Sequence, residues 1–175
     1  MRTDQFDLFV EDLLEEKVER SIVIIGVSKI DDLLLSILSK YLISKSGKQD
    51  DLLEGDQPLA TLSARIKLIY RLGIIDETLF RLLDQTRKIR NLSAHKIEFN
   101  LRKPPVKEHI AELRKQLISR SSFQLTNTRY FDNNLDNQIK ELQCILVTIC
   151  VILEALHEKI TVTSGIETTL LISKK

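Results

Sequence analysis

The residue types best suited to chemistry stand together in one short cluster, Arg90-Asn91-Leu92-Ser93-Ala94-His95. On an α-helix residues four apart share a face, so Arg87, Asn91 and His95 form a polar stripe with Asp84 one turn earlier. Arg90 is offset from His95 by five residues, about 140° around the axis, but its long side chain can reach round the edge of the helix. An arginine and a histidine converging on one phosphate, with the Asn91 amide between them, would be a minimal kit for metal-independent RNA cleavage. His95 would exchange a proton with the ribose 2′-hydroxyl or the leaving oxygen, and Arg90 would stabilise charge on the in-line transition state. One histidine cannot be base and acid in the same step, so this reading calls for a two-fold dimer. The same residues also have structural uses. Arg90 can pair with Asp84, Asp31 or Asp32, and His95 can sit against the last carbonyls of its helix.

The charge distribution points toward phosphate. Residues 1–56 carry seven basic residues against thirteen acids, a net −6, whereas residues 81–107 carry eight against two, a net +6. Such a patch attracts anions although the whole chain has a formal charge of only +1. Arg87, Lys88, Lys96, Arg102 and Lys103 are the candidate nucleic-acid or phosphate contacts within it. The plainer alternative is a solvated helix face. Aromatic residues are few and tryptophan is absent, which argues against a platform for stacking bases. Ser63 and Ser93 have no paired base, so a hydrolase triad has no support. No Gly-rich phosphate loop, helix-turn-helix signature or metal-binding spacing is present, and no metal or cofactor is expected. His109 and His157 have no companions and read as surface residues.

These groups need a scaffold. With 43% hydrophobic and 29% charged residues but only five glycines and three prolines, the 175-residue chain reads as all-α. The expected domain is a compact bundle of about six helices over residues 1–160, followed by a non-helical tail over 161–175. The first helix runs from Asp4 to about Leu14, and a long one follows from Glu16 to Ile43. Gly26 sits inside it, where glycine costs about 1 kcal/mol relative to alanine, so a close helix–helix approach is the expected reason. Residues 44–57 form a polar connection. Asp56 is a candidate cap for a helix striped with Leu62, Ile66, Ile69 and Leu72, which Gly73 closes. Asp76 then caps the helix carrying the cluster, whose inward residues are Leu79, Leu82, Leu83, Ile89 and Leu92. Pro104-Pro105 break the pattern before a helix from Val106 to about Ile118. Residues 119–133 read as polar and irregular, anchored by Tyr130 and Phe131, and a last helix begins at Asn133 or Asn134 and runs to about Ile160. The tail is β-branched: an edge strand, an arm onto a partner, or disorder.

The start, MRTDQFDLFVEDLLEEK, is acidic and has no signal-peptide pattern, and the apolar run Leu142–Leu153 is too short to span a bilayer. Cys144 and Cys150 lie roughly 240° apart on one helix and cannot bridge each other. Two free thiols fit a cytoplasmic location.

The segment Pro58–His95 resembles the mannitol-operon-repressor family of small all-helical bacterial proteins. The resemblance rests on Ser63-Ala64-Arg65-Ile66-Lys67-Leu68, Tyr70, Leu72-Gly73-Ile74-Ile75, and Arg87-Lys88-Ile89-Arg90-Asn91 followed by Ala94-His95. Ile30-Asp31-Asp32-Leu33-Leu34 is similar to the middle of the family's first long helix. Separately, Arg90-Asn91-x-x-x-His95 resembles the Arg-x4–6-His signature of HEPN domains, many of which are dimeric ribonucleases. Ser93 stands where the repressor family more often has an aromatic residue. The basic segment after His95 replaces residues that the family tends to make acidic, which favours a nucleic-acid or phosphate ligand. What the resemblance implies is a cytoplasmic, homodimeric regulator that binds a protein or nucleic-acid partner. The alternative is an HEPN-type endoribonuclease, toxin- or defence-related, that uses Arg90, Asn91 and His95.

Overall fold

The computed structural model describes residues 4–43, 52–53 and 55–164, and these residues fold into seven helices with no strand. They are α1 (Asp4–Glu15), α2 (Glu19–Tyr41), α3 (Leu62–Arg71), α4 (Glu77–His95), α5 (Val106–Leu117), α6 (Ser121–Phe131) and α7 (Gln138–Lys159). The all-helical bundle read from the sequence is the observed architecture.

Helices α2 and α7 form its centre. From Leu142 to Cys150 every residue of α7 is buried, including Gln143 and Thr148, so the apolar run is core. No helix among the described residues is long and apolar enough to cross a membrane. Gly26 on α2 faces α7, and a Cβ placed there would lie 2.6 Å from the Leu146 Cδ1 atom. The close helix approach expected from the sequence is present. The buried Gln143 is matched: it donates its amide to the carbonyls of Leu13 (2.7 Å) and Glu16 (3.1 Å), taking up acceptors left open at the end of α1. Cys144 and Cys150 are buried and unpaired with each other. Burial pushes the Cys144 thiol up to about 12 and raises Cys150 as well, so neither is poised for nucleophilic chemistry.

Three readings need correction. Residues 121–131, read as irregular, are helical, which brings the expected bundle of about six helices to seven. Phe123, Thr126 and Phe131 lie on the buried side of α6, and the surrounding Ser, Gln, Thr and Asn hid the helical period. The cap of α3 is Thr61, whose hydroxyl accepts from the Ala64 N–H at 3.2 Å, and not Asp56. The last helix starts at Gln138, capped by Asn137, because Asp132 and Asn133 adopt positive φ of 50° and 58° and turn the chain first. Gly73 and Asp76 act as expected. Gly73 (φ 70°) closes α3 through Gly73 N–H to Tyr70 O and Ile74 N–H to Ile69 O, and the Asp76 carboxylate accepts from the Leu79 N–H at 2.8 Å. Beyond α7 the Thr163 N–H donates to Tyr41 O at 2.8 Å, and residues 165–175 of the tail lie outside the described residues.

Candidate functional site

Helix α4 is the element on which the candidate residues sit. Leu82, Leu83, Thr86, Ile89 and Ser93 anchor one side in the core, so Arg87, Arg90 and Asn91 are turned toward a neighbouring cleft. That cleft has a volume of about 500 Å³ and lies between α2, the start of α3 and α4. Ser28 and Asp31 line it from α2, and Thr61 and Ser63 from the start of α3. Ile24, Val27 and Leu62 supply apolar wall.

The charges in the cleft are mostly matched. Arg87 donates to the Asp84 carboxylate at 2.7 and 3.0 Å, and Lys88 approaches the other oxygen of Asp84 at 3.1 Å. Burial works against ionisation of Asp84, but the hydrogen bonds and charges of Arg87 and Lys88 outweigh it and hold the carboxyl below its ordinary range. Asp31 receives Arg65 at 2.7 Å. The buried Arg65 guanidinium also donates to Leu53 O (3.0 Å) and Leu59 O (3.2 Å), tying the chain before α3 to α2. Arg90 is therefore not the partner of Asp84 or Asp31. It is exposed, and among the described residues its side chain makes neither hydrogen bond nor ion pair.

His95 does not share this cleft. It is exposed at the last position of α4 and lines a second cavity of about 530 Å³, formed with the α4–α5 connection. Lys96 and Lys103 line that same cavity, while Arg102 is exposed beside it in sequence. The cluster is thus divided: Arg87, Arg90 and Asn91 on one side, His95, Lys96 and Lys103 on the other. The reason is that α4 ends at His95, so its last side chain joins the outgoing loop. The carbonyls at this helix end are also not taken by His95.

They are taken by Arg20, which nothing in the cluster pointed to. From the first turn of α2 its guanidinium donates to the carbonyls of Ser93, Lys96 (2.8 Å) and Ile97 (3.2 Å). A cation at a helix C-terminus satisfies open acceptors and opposes the negative end of the dipole. Neighbouring Glu19 accepts from the Leu101 N–H at 2.9 Å. Two adjacent residues of α2 thereby fix the α4–α5 connection. Ser93, fully buried, fits there because its hydroxyl returns to Arg90 O at 2.8 Å. Between the two pinned ends Ile97 is 98% exposed, with Lys96 and Lys103 on the same cavity wall. His109 on α5 is only half-exposed; burial and the nearby Lys88 charge lower its pKa. No group of three metal-ligating side chains occurs among the described residues.

The mannitol repressor family model matches residues 5–145. The chain belongs to the mannitol repressor family. Two solved structures share the fold. One is a possible transcriptional regulator, YggD, from Shigella flexneri, with a TM-score of 0.65 at 14% identity over 88% of this chain and 99% of that one. The other is MtlR in the MtlR–HPr complex from Escherichia coli, with a TM-score of 0.60 at 20% identity over 89% of this chain and 99% of that one. No curated protein matches the chain significantly. Membership of the repressor family agrees with the all-helical bundle and with the resemblance in Pro58–His95. The HEPN-like reading of Arg90 and His95 is not part of what the family match establishes.

Proposed function

We propose that this mannitol repressor family member is a regulatory protein that works by binding a protein partner at its α4–α5 connection. The observation that carries the reading is Ile97, a large aliphatic side chain held almost fully in solvent between fixed backbone points and flanked by Lys96 and by Glu98, which pairs with Lys103 at 3.8 Å. An exposed apolar anchor inside a charged rim is the anatomy of a docking surface, since truncation of one well-placed anchor can remove much of the affinity. The partner this surface fits carries an apolar recess with a carboxylate placed to meet Lys96. The related Escherichia coli MtlR is seen in complex with HPr, which makes the HPr protein of the host the first partner to test.

Calorimetric titration of the purified chain with that HPr should show binding. Ile97→Ser should weaken it about tenfold or more, with the fold intact by circular dichroism. Unchanged affinity in Ile97→Ser places the interface elsewhere, and no binding at all removes HPr as the partner.

The second reading is an HEPN-type, metal-independent endoribonuclease. It is favoured by one observation: Arg90 and His95 are both exposed and free of ion pairs among the described residues. Because they line separate cavities, they would have to act across two copies of the chain, with Lys96, Arg102 and Lys103 holding phosphates. Incubation with total RNA in EDTA decides this. Cleavage by the wild type that both Arg90→Ala and His95→Ala abolish establishes it, and absence of cleavage removes it.

A further inference from the structure

The cleft between α2, the start of α3 and α4 has no role in partner docking at the opposite side of the α4 terminus, yet its chemistry is specific. Three charged residues line it, and two are already neutralised within the fold: Arg87 by Asp84 and Asp31 by Arg65. The third, Arg90, makes no ion pair among the described residues, so the cleft has one uncompensated positive charge. A group that binds there with gain must be an anion, and a planar guanidinium presents paired donors matched to phosphate oxygens.

The remaining polar groups have a different character. The Asn91 amide, one helical position from Arg90, makes no hydrogen bond among the described residues and offers both donors and an acceptor. The hydroxyls of Ser28 and Ser63 face the same space, and Thr61, whose oxygen accepts from the Ala64 N–H, still has its own hydroxyl hydrogen to give. Amide and hydroxyl groups of this kind pair with ligand hydroxyls. A volume of about 500 Å³ lies within the range of small-metabolite sites. We infer that this cleft binds a small polyhydroxylated phosphomonoester, the phosphate on Arg90 and the hydroxyls on Asn91 and the serines. The cleft would give the regulator a small-molecule input separate from its docking loop, coupled to it through α4, which leads into the connection that carries Ile97.

The test is calorimetric titration of the full chain, without any partner protein, using glucose 6-phosphate, inorganic phosphate and glucose as probes. Glucose 6-phosphate should bind with a dissociation constant of about 1 mM or tighter, at least about tenfold tighter than either inorganic phosphate or glucose. Arg90→Ala and Asn91→Ala should each weaken it by about tenfold or more. His95→Ala and Lys96→Ala, on the other cavity, should leave it unchanged. Three results would overturn the inference: no binding of glucose 6-phosphate by the folded wild type, equal binding of all three probes, or wild-type binding by both Arg90→Ala and Asn91→Ala. Since no partner is present, failure here leaves the docking surface untouched, and failure of docking leaves this result untouched.

Discussion

Removal of the Arg20 guanidinium is the most informative structural perturbation, because one side chain holds the end of α4 and the loop that presents Ile97. In Arg20→Ala the carbonyls of Ser93, Lys96 and Ile97 lose their shared donor. The bond to Ser93 is partly buried, and a charge-assisted bond of that kind contributes about 1.5 kcal/mol or more. The bonds to Lys96 and Ile97 are exposed, where water replaces the donor at little cost, and the favourable helix-end charge adds about 0.5 kcal/mol. The sum is a loss of about 2 kcal/mol, which for a chain of this length lowers Tm by roughly 4–8 °C. Thermal unfolding followed by circular dichroism measures it. Hydrogen exchange should localise the loss, with faster exchange at Lys96 (whose N–H bonds to Leu92 O) and at Leu101 (whose N–H bonds to Glu19). Arg20→Lys, able to serve one carbonyl at a time, should fall between the two. An Arg20→Ala protein with wild-type Tm and unchanged exchange at both positions would refute the clamp.

Gly26→Ala should destabilise by about 1–2 kcal/mol, because overpacking against Leu146 outweighs the gain in helix propensity; the double variant with Leu146→Ala should be less unstable than Leu146→Ala alone if the contact is the cause. Arg65→Ala removes the buried donor to the carbonyls of Leu53 and Leu59 and leaves Asp31 without its ion-pair partner, for a loss of about 3 kcal/mol moderated by the water that Asp31 retains; denaturant titration would show no loss if the network were dispensable. The lowered pKa of His109 means the folded state disfavours its protonated form, so its contribution to stability is present above its unfolded value near 6.5 and is lost as pH falls through the folded value. Tm of the wild type should therefore drop more between pH 7 and pH 5 than that of His109→Gln, and parallel curves would contradict this.

Most of the scaffold was legible because its signals are local. The apolar stripes of α3 and α4, Gly73 in the left-handed region and Asp76 as a cap all act within a few residues of themselves. Gly26 was legible for the converse reason, as a residue too unfavourable in a helix to be there without a neighbour. Helix α6 was not, since its buried side includes Thr126 while its exposed side carries the apolar Leu125 beside Ser121, Gln124 and Thr128, leaving little contrast for a helical period. The start of α7 was obscured by several Asn and Asp residues that all suit a cap, and only the turn at Asp132 and Asn133 selects Asn137.

At the candidate site, the grouping of Arg87 with Asn91 followed from helical spacing, whereas two facts did not. The partners that remove Asp84 and Asp31 from Arg90 depend on side-chain choices among several nearby cations. Arg20 lies 73 residues before Ser93 in the chain, and no spacing rule connects them. Consequently the sequence offered Arg90 and His95 as one site, while the fold gives them to two cavities.

The claim that this family member acts through a protein partner at the α4–α5 connection is tested most directly by hydrogen exchange of the full chain with and without the proposed partner. The expected result is slowed exchange concentrated at residues 95–106 and the first turn of α5, with the cleft side of α2 unchanged. Slowed exchange confined to α6 and the outer face of α7, with residues 95–106 exchanging as in the free chain, would contradict it.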